Sequence, residues 1–167
     1  MAVAHKVISE LNDVGKTRLQ KLCYFLQESF HVPTRYTYKM HHYGPYSEAL
    51  ETDVSRLRLT GYVSIKPDPR GYGFHISPVD APEPEWVEMS NEYISSINGA
   101  LNLFKEWPPS KLELAATIHF VNNLLPNESA SEIHLRVKAL KPKFFDDYIS
   151  EVHEEIEQLG LLRRTDV

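Results

Sequence analysis

Apolar residues recur with a helical period along most of the chain. Within Thr17–Phe30, the residues Leu19, Leu22, Cys23, Leu26 and Phe30 fall at offsets 0, 3, 4, 7 and 11. They form one stripe of an amphipathic helix that Thr17 is placed to cap. A shorter helix over about residues 2–12 is expected before it, ending near Asp13–Gly15 with Gly15 left-handed. After Pro33 the period changes, and Tyr36, Tyr38 and Met40 alternate with Thr37 and Lys39 as in a short strand. The run His42-Tyr43-Gly44-Pro45-Tyr46-Ser47 predicts a turn, with Gly44 pushed toward extended backbone by Pro45 and Ser47 capping the next helix. That helix, about Glu48–Thr60, buries Leu50, Val54 and Leu57 and stops at Gly61. Tyr62–Lys66 and Phe74–Ser77, on either side of a Pro/Gly-rich turn, predict an antiparallel hairpin.

Beyond the loop Pro78–Glu88 the pattern is helical throughout. Ile94, Ile97, Leu101 and Phe104 stripe a helix over about Asn91–Glu106, and Pro108-Pro109 breaks the chain before Ser110, the expected cap of the next. Helix Lys111–Leu125 is apolar around most of its circumference, so it is expected at the centre of this half. Ser129 and Glu132 have capping-box spacing for a helix to about Leu140, with Ile133, Val137 and Leu140 inward. Phe145, Tyr148, Ile149, Val152, Ile156 and Leu159 stripe the last helix before Gly160. The fold class expected is α+β and mainly helical. Residues 1–80 carry a winged-helix-like hairpin, 81–90 a linker, and 91–167 a helical half resembling a helix-turn-helix core.

The 167 residues suit one compact unit or two small ones, and 42% hydrophobic with 25% charged residues is ordinary for a globular protein. No apolar run approaches the roughly 18 residues that span a bilayer, and the first residues lack a leader pattern, so a cytoplasmic protein without membrane contact is expected. Charge changes the picture more. Residues 1–80 hold ten Lys/Arg against eight Asp/Glu, a balance of +2, whereas 81–167 hold eight against fifteen, a balance of −7. Neither half is strongly basic, as a protein living on phosphate backbone would be.

Catalytic residue types are present without a catalytic pattern. Cys23 lies on a buried stripe, where a lone cysteine acts as a small apolar residue, and it has no partner for a disulfide. Adjacent His41 and His42 in extended backbone point to opposite faces and do not share a metal ion. Glu151, Glu154, Glu155 and Glu157 read as the solvated face of a helix. Gly71-Tyr72-Gly73 sits in a hairpin turn and not before a helix, so it is no phosphate loop. No enzymatic activity, cofactor or metal is expected. Two surfaces are candidates for binding. Arg56 and Arg58 on the helix before the hairpin, with Lys66 and Arg70 in the hairpin, are the set a winged helix would turn to DNA. The other is aromatic: Tyr36, Tyr38, Tyr43 and Tyr46 fall within eleven residues, beside His42, and tyrosine is enriched in protein contact cores.

Two segments carry a resemblance. Gly15-Lys16-Thr17-Arg18-Leu19-Gln20-Lys21-Leu22-Cys23-Tyr24-Phe25-Leu26-Gln27, followed by Tyr38-Lys39-Met40-His41-His42-Tyr43-Gly44-Pro45-Tyr46-Ser47-Glu48-Ala49-Leu50, resembles the paired signature of the YwgA-like family. It is similar also to the broader Panacea (SocA/GepA-like) antitoxin domain. The resemblance implies a non-catalytic interaction module, antitoxin-like or adaptor-like, with a toxin or regulatory client as partner. On the helix motif, Leu19 and Leu22 are expected inward and Gln20 and Lys21 outward, where they would join Tyr36, Tyr38, His42, Tyr43 and Tyr46 at a partner-binding edge. A DNA-binding regulator is the alternative, and a homodimer remains open.

Overall fold

Lys16–Glu28 forms a helix because its leucines and aromatics can all be covered, and the rest of the N-terminal region folds around it. A computed structural model describes residues 1–71, 73–82, 84 and 91–162. Tyr72 and most of the expected linker 81–90 lie outside the described residues. The fold is α+β, with seven helices and two small antiparallel sheets among the described residues. No helix among them is long and apolar enough to cross a membrane. The chain groups into two units, Met1–Lys39 with Tyr46–Glu106, and Met40–Pro45 with Trp107–Val167.

In the first unit, α1 (Ala2–Leu11) ends at Asn12, which takes the left-handed conformation (φ 60°) and donates its N–H to the Ile8 carbonyl. Gly15, expected in that role, is extended (φ −66°) and lies in β1 (Val14–Gly15). Asparagine tolerates the left-handed region well enough to end the helix three residues early. Helix α2 (Lys16–Glu28) starts directly after Gly15 with no side-chain cap, so Thr17 lies inside it and not at its cap. Eight consecutive residues, Leu19 to Leu26, are buried. A helix enclosed on every side has no outward face, because α1, β1, β5 and α4 all pack against it.

Gln20 and Lys21 are therefore inside, contrary to the expectation that they face solvent. The Gln20 amide makes two bonds to one residue: its Nε2 donates to the Ser47 carbonyl at 3.1 Å and its Oε1 accepts the Ser47 N–H at 2.9 Å. Seven residues on, Gln27 repeats the device, accepting the Tyr36 N–H at 2.8 Å and donating to the Tyr36 carbonyl at 3.0 Å. Each glutamine holds an extended backbone segment as a neighbouring strand would. Ser47, fully buried, accepts the Leu50 N–H as the N-cap of α3 (Glu48–Leu59). Gly61 (φ 82°) comes after that helix as expected.

The predicted hairpin is β4 (Val63–Pro67) and β5 (Phe74–Pro78), in register at Ile65↔Ile76. β1 joins on the other side of β5, giving the order β1-β5-β4. Two residues carry no periodic signal, so β1 was not legible in the sequence. Helix α4 (Asn91–Phe104) packs on α2 through Ile97, Ala100, Leu101 and Phe104, with Phe104 stacked on Phe25 at 4.8 Å. The Arg18 guanidinium donates to the Phe104 carbonyl at 2.6 Å, placing a cation on the carbonyl end of α4.

In the second unit, α5 (Pro109–Leu124) is central, packed by α6 (Ala130–Leu140) and α7 (Asp146–Gln158). Pro109 occupies its first turn and Pro108 the cap position, so Ser110 is not the cap. The Ser129–Glu132 capping box forms as expected, the Glu132 carboxylate accepting the Ser129 N–H at 2.7 Å. Phe144, not Phe145, turns inward: α7 starts one residue late, so Phe145 is 81% exposed. Leu140 and Leu159, expected inward, are also exposed.

Gln20→Ala leaves the buried Ser47 N–H without its acceptor and takes one of two donors from the Ser47 carbonyl, which keeps the Glu51 N–H at 3.2 Å. A loss of about 2 kcal/mol is expected in chemical denaturation. A loss below about 0.5 kcal/mol would show that the pairing does not hold the fold.

Candidate interaction surface

Strands β2 (Lys39–His41) and β3 (Gly44–Tyr46) form a hairpin turning at His42-Tyr43, and its tip, Met40–Pro45, groups with the second unit. The chain turns here because Gly44 adopts φ 85°, a conformation glycine reaches without strain. Proline after it did not force the extended φ expected. The tip is held from below by a charge cluster. Glu113, on α5 and only 5% exposed, binds Lys141 Nζ at 2.9 Å and Lys143 Nζ at 2.8 Å. Lys141, also buried, donates a second bond to the His42 carbonyl. A buried ammonium shared between a carboxylate and a backbone oxygen is costly to move, so the turn is pinned. Above it Tyr43 is 59% exposed, and Lys143 stands over its ring at 5.7 Å.

Glu113 was missed in the sequence. Its signal was a carboxylate between Leu112 and Leu114 on a helix with no solvent face, together with Lys141-x-Lys143 in a later turn.

The remaining residues expected at a partner edge fare differently. His42 is exposed like Tyr43, and Tyr46 is half-buried. Tyr36 is a core residue whose hydroxyl donates to Asp53 at 2.9 Å, and burial holds its phenol well above the usual tyrosine range. Tyr38 packs edge-on to Tyr24 at 5.1 Å, with its phenol raised by burial in the same way and its hydroxyl buried without a hydrogen-bond partner among the described residues. Tyr36, Gln20 and Lys21 are interior groups of the first unit, whereas Tyr38 is half-buried, so the aromatic cluster is divided between core and surface.

Cys23 is fully buried and its thiol is pushed up to about 12 by loss of solvent, so it stays protonated. Ser150 Oγ, His134 and Asp146 fall in line, 3.4 Å from Oγ to His134 Nδ1 and 2.9 Å from His134 Nε2 to Asp146. The hydrogen bond to His134 lowers the Asp146 carboxyl. The order resembles a hydrolytic triad, but the amides around Ser150 lie inside α7 and are committed to it, leaving no donor pair for an oxyanion. Among the described residues, no three His, Cys, Asp or Glu side chains are arranged to hold a metal ion.

The basic residues of the alternative surface lie in the first unit. Arg56, Arg58, Lys66 and Arg70 are exposed, Arg56 standing 3.6 Å from Asp53. Arg70 is held by Asp68, which accepts its backbone N–H at 2.7 Å and its guanidinium at 3.1–3.2 Å. These bonds, the Arg70 side chain foremost, bring the Asp68 carboxyl down to about 2. His75 bridges Asp13 at 2.8 Å through Nδ1 and Asp68 at 2.9 Å through Nε2. Two carboxylates, one on each ring nitrogen, require both nitrogens to donate, so the geometry is that of an imidazolium. The Asp13 bond is the main cause of the raised His75 value, with Asp68 adding to it and partial burial opposing.

A raised folded value means that the stability contributed by His75 is complete below its ordinary value of 6.5 and disappears as pH rises through the raised one. The stability difference between the natural protein and His75→Ala is therefore expected to be largest below pH 6.5 and to shrink as pH rises above it in denaturant titrations. A difference that grows with pH would contradict the bridge.

No known family profile matches the chain. It is 26% identical over 164 residues, covering 92% of each chain, to "Uncharacterized protein YwgA" of Bacillus subtilis (strain 168). The similarity supports a relation to YwgA-like proteins along nearly the whole chain, as the paired Leu-Gln-Lys-Leu and Tyr-Gly-Pro motifs suggested.

Proposed function

We propose that the chain is a non-catalytic protein-interaction module, antitoxin-like or adaptor-like in the manner of the Panacea domain, that engages its partner through the His42–Tyr43 corner. One observation carries this: a large aromatic side chain is exposed on a turn pinned by a buried Glu113–Lys141 pair. A preorganised aromatic loses little entropy on association, and an exposed tyrosine supplies apolar area with a polar tip. A charged group otherwise costly to bury is spent on fixing that turn, which supports a role for its shape. The client would be a folded protein, such as a toxin or a regulatory target.

A second reading is favoured by topology. The sheet order β1-β5-β4, with α3 preceding the β4–β5 hairpin, supports a winged-helix arrangement in the first unit, with Arg56 and Arg58 on α3 and Lys66 and Arg70 in the hairpin directed to DNA. Against it, Asp53 and Asp68 already engage Arg56 and Arg70.

Tyr43→Ala is expected to leave the melting temperature unchanged within about 2 °C and to weaken a co-purifying partner about 30-fold, the loss of a contact hot spot of about 2 kcal/mol. Full retention of the partner would exclude this corner. The DNA reading is checked by duplex retardation at low salt, where Arg58→Ala with Lys66→Ala should reduce any shift and its salt dependence. No shift at low salt would end it.

A further inference from the structure

Helices α6 and α7 enclose an open groove of about 420 Å³ between facing stripes, Ala130, His134 and Leu135 on one side and His153, Glu154 and Glu157 on the other. The volume is at the small end of ligand sites, enough for one or two side chains. Its two characters are unusual together. Leu135 is 69% exposed on the groove wall, a large apolar side chain in a helix that buries Ile133 and Val137 on its other face. Opposite it stand two carboxylates, Glu154 and Glu157, with no counter-ion among the described residues.

Three nearby acids are paired, whereas Asp147 and Glu151, off the groove, show no ion pair among the described residues. Glu155, one residue from Glu154 but on the α5 side, binds Lys111 at 2.6 Å. Asp146 takes His134 at 2.9 Å and Lys138 at 3.4 Å, and Glu128 takes Arg136. The carboxylates of Glu154 and Glu157 make no hydrogen bond or salt bridge among the described residues. The nearest basic side chain of their own helix, His153, does not neutralise them, since burial lowers its pKa and keeps it uncharged at neutral pH. The groove thus presents apolar area beside negative charge that has no counter-ion among the described residues.

We propose that this groove seats a basic amphipathic helical segment of a partner protein, with an aliphatic side chain against Leu135 and Ala130 and a lysine or arginine reaching Glu154 and Glu157. The choice rests on complementarity. Lysine and arginine combine an apolar stem with a charged head, matching the two characters side by side. Glu154 and Glu157 lie one turn apart on α7, so they meet cations one turn apart on a helix lying along the groove. The −7 balance of residues 81–167 draws such a segment in and repels an acidic one. This surface is separate from the His42–Tyr43 corner and does not depend on it.

The test is titration of the full chain with a labelled, short peptide of repeating Leu-Lys-Lys-Leu, read by fluorescence anisotropy at low salt, against its Leu-Glu-Glu-Leu counterpart. Saturable binding of the basic peptide alone is expected. Glu154→Gln with Glu157→Gln should weaken it at least tenfold and Leu135→Ala about fivefold, whereas Glu151→Gln, on the same helix but off the groove, should change it less than twofold. All four positions are exposed, so the variants keep the fold, as circular dichroism would verify. Absence of binding would overturn the proposal. So would equal weakening by Glu151→Gln, which would mean bulk charge, or an unchanged affinity in Leu135→Ala, which would mean a counter-ion site without an apolar anchor. The co-purification experiment on Tyr43 uses a different ligand, so either result can fail alone.

Discussion

The complete enclosure of α2 sets the terms for the first unit. Once Leu19 to Leu26 are all inside, the polar side chains among them cannot be left to water, and an unpaired buried amide costs about 1–3 kcal/mol. Gln20 meets that demand by pairing with both backbone groups of Ser47, and Gln27, at the edge of the same helix, pairs with both of Tyr36. The solution has a consequence beyond satisfaction. Each pairing fixes the path of a segment without regular structure, one entering α3 and the other between α2 and β2. A single helix thereby dictates both its own packing and the course of the chain leaving and returning to it, which ties the Leu-Gln-Lys-Leu motif physically to Ser47, two residues after the Tyr-Gly-Pro turn.

The second unit uses charge where the first uses amides. The buried stretch of α5 is apolar except for Glu113, Thr117 and His119, and the carboxylate among them is tolerable only with cations brought to it. Lys141 and Lys143 supply them from the turn between α6 and α7, and Lys141 has a proton left for the His42 carbonyl. Desolvation offsets most of the attraction within such a pair, so against apolar replacements it adds little net stability. What it does is select one position for the turn. Removing one partner would strand a charge, so the hairpin tip has one favourable arrangement and few near competitors.

Most of the helices and the β4–β5 hairpin were legible because their signals are local: periodicity, a capping box at Ser129–Glu132, glycine after α3. The errors cluster where two local signals competed or where a long-range partner decided. Asn12 ended α1 ahead of Gly15, Pro108-Pro109 displaced Ser110, and Phe144 replaced Phe145 as the inward aromatic, each a shift of a few residues within a correctly read element. Gln20 and Lys21 are a different matter. Their polarity pointed to solvent, but burial depends on what packs from α1, β1, β5 and α4, and no window of sequence contains that information. The tyrosine cluster divides for the same reason: residues rich in contact cores are rich in ordinary cores too, and Tyr36 is buried, Tyr38 and Tyr46 are half-buried and Tyr43 is exposed.

The distribution of paired charge distinguishes acids of one sequence stretch in a way composition does not. Four glutamates between 151 and 157 read as one solvated face. In the fold, Glu155 is tied to Lys111 across to α5, while Glu154 and Glu157 border a groove with an exposed leucine. Screening makes a lone surface carboxylate cheap, so absence of a counter-ion alone means little. Beside apolar surface the balance differs. An approaching cation with an aliphatic stem covers the leucine as it neutralises the acids, and a water-separated ion covers nothing. Competition between partners acts in the first unit as well, where Arg56 and Arg70, already engaged by Asp53 and Asp68, make a poorer phosphate surface than their exposure suggests. A phosphate must displace a carboxylate that is held close, and for Asp68 one that His75 also binds.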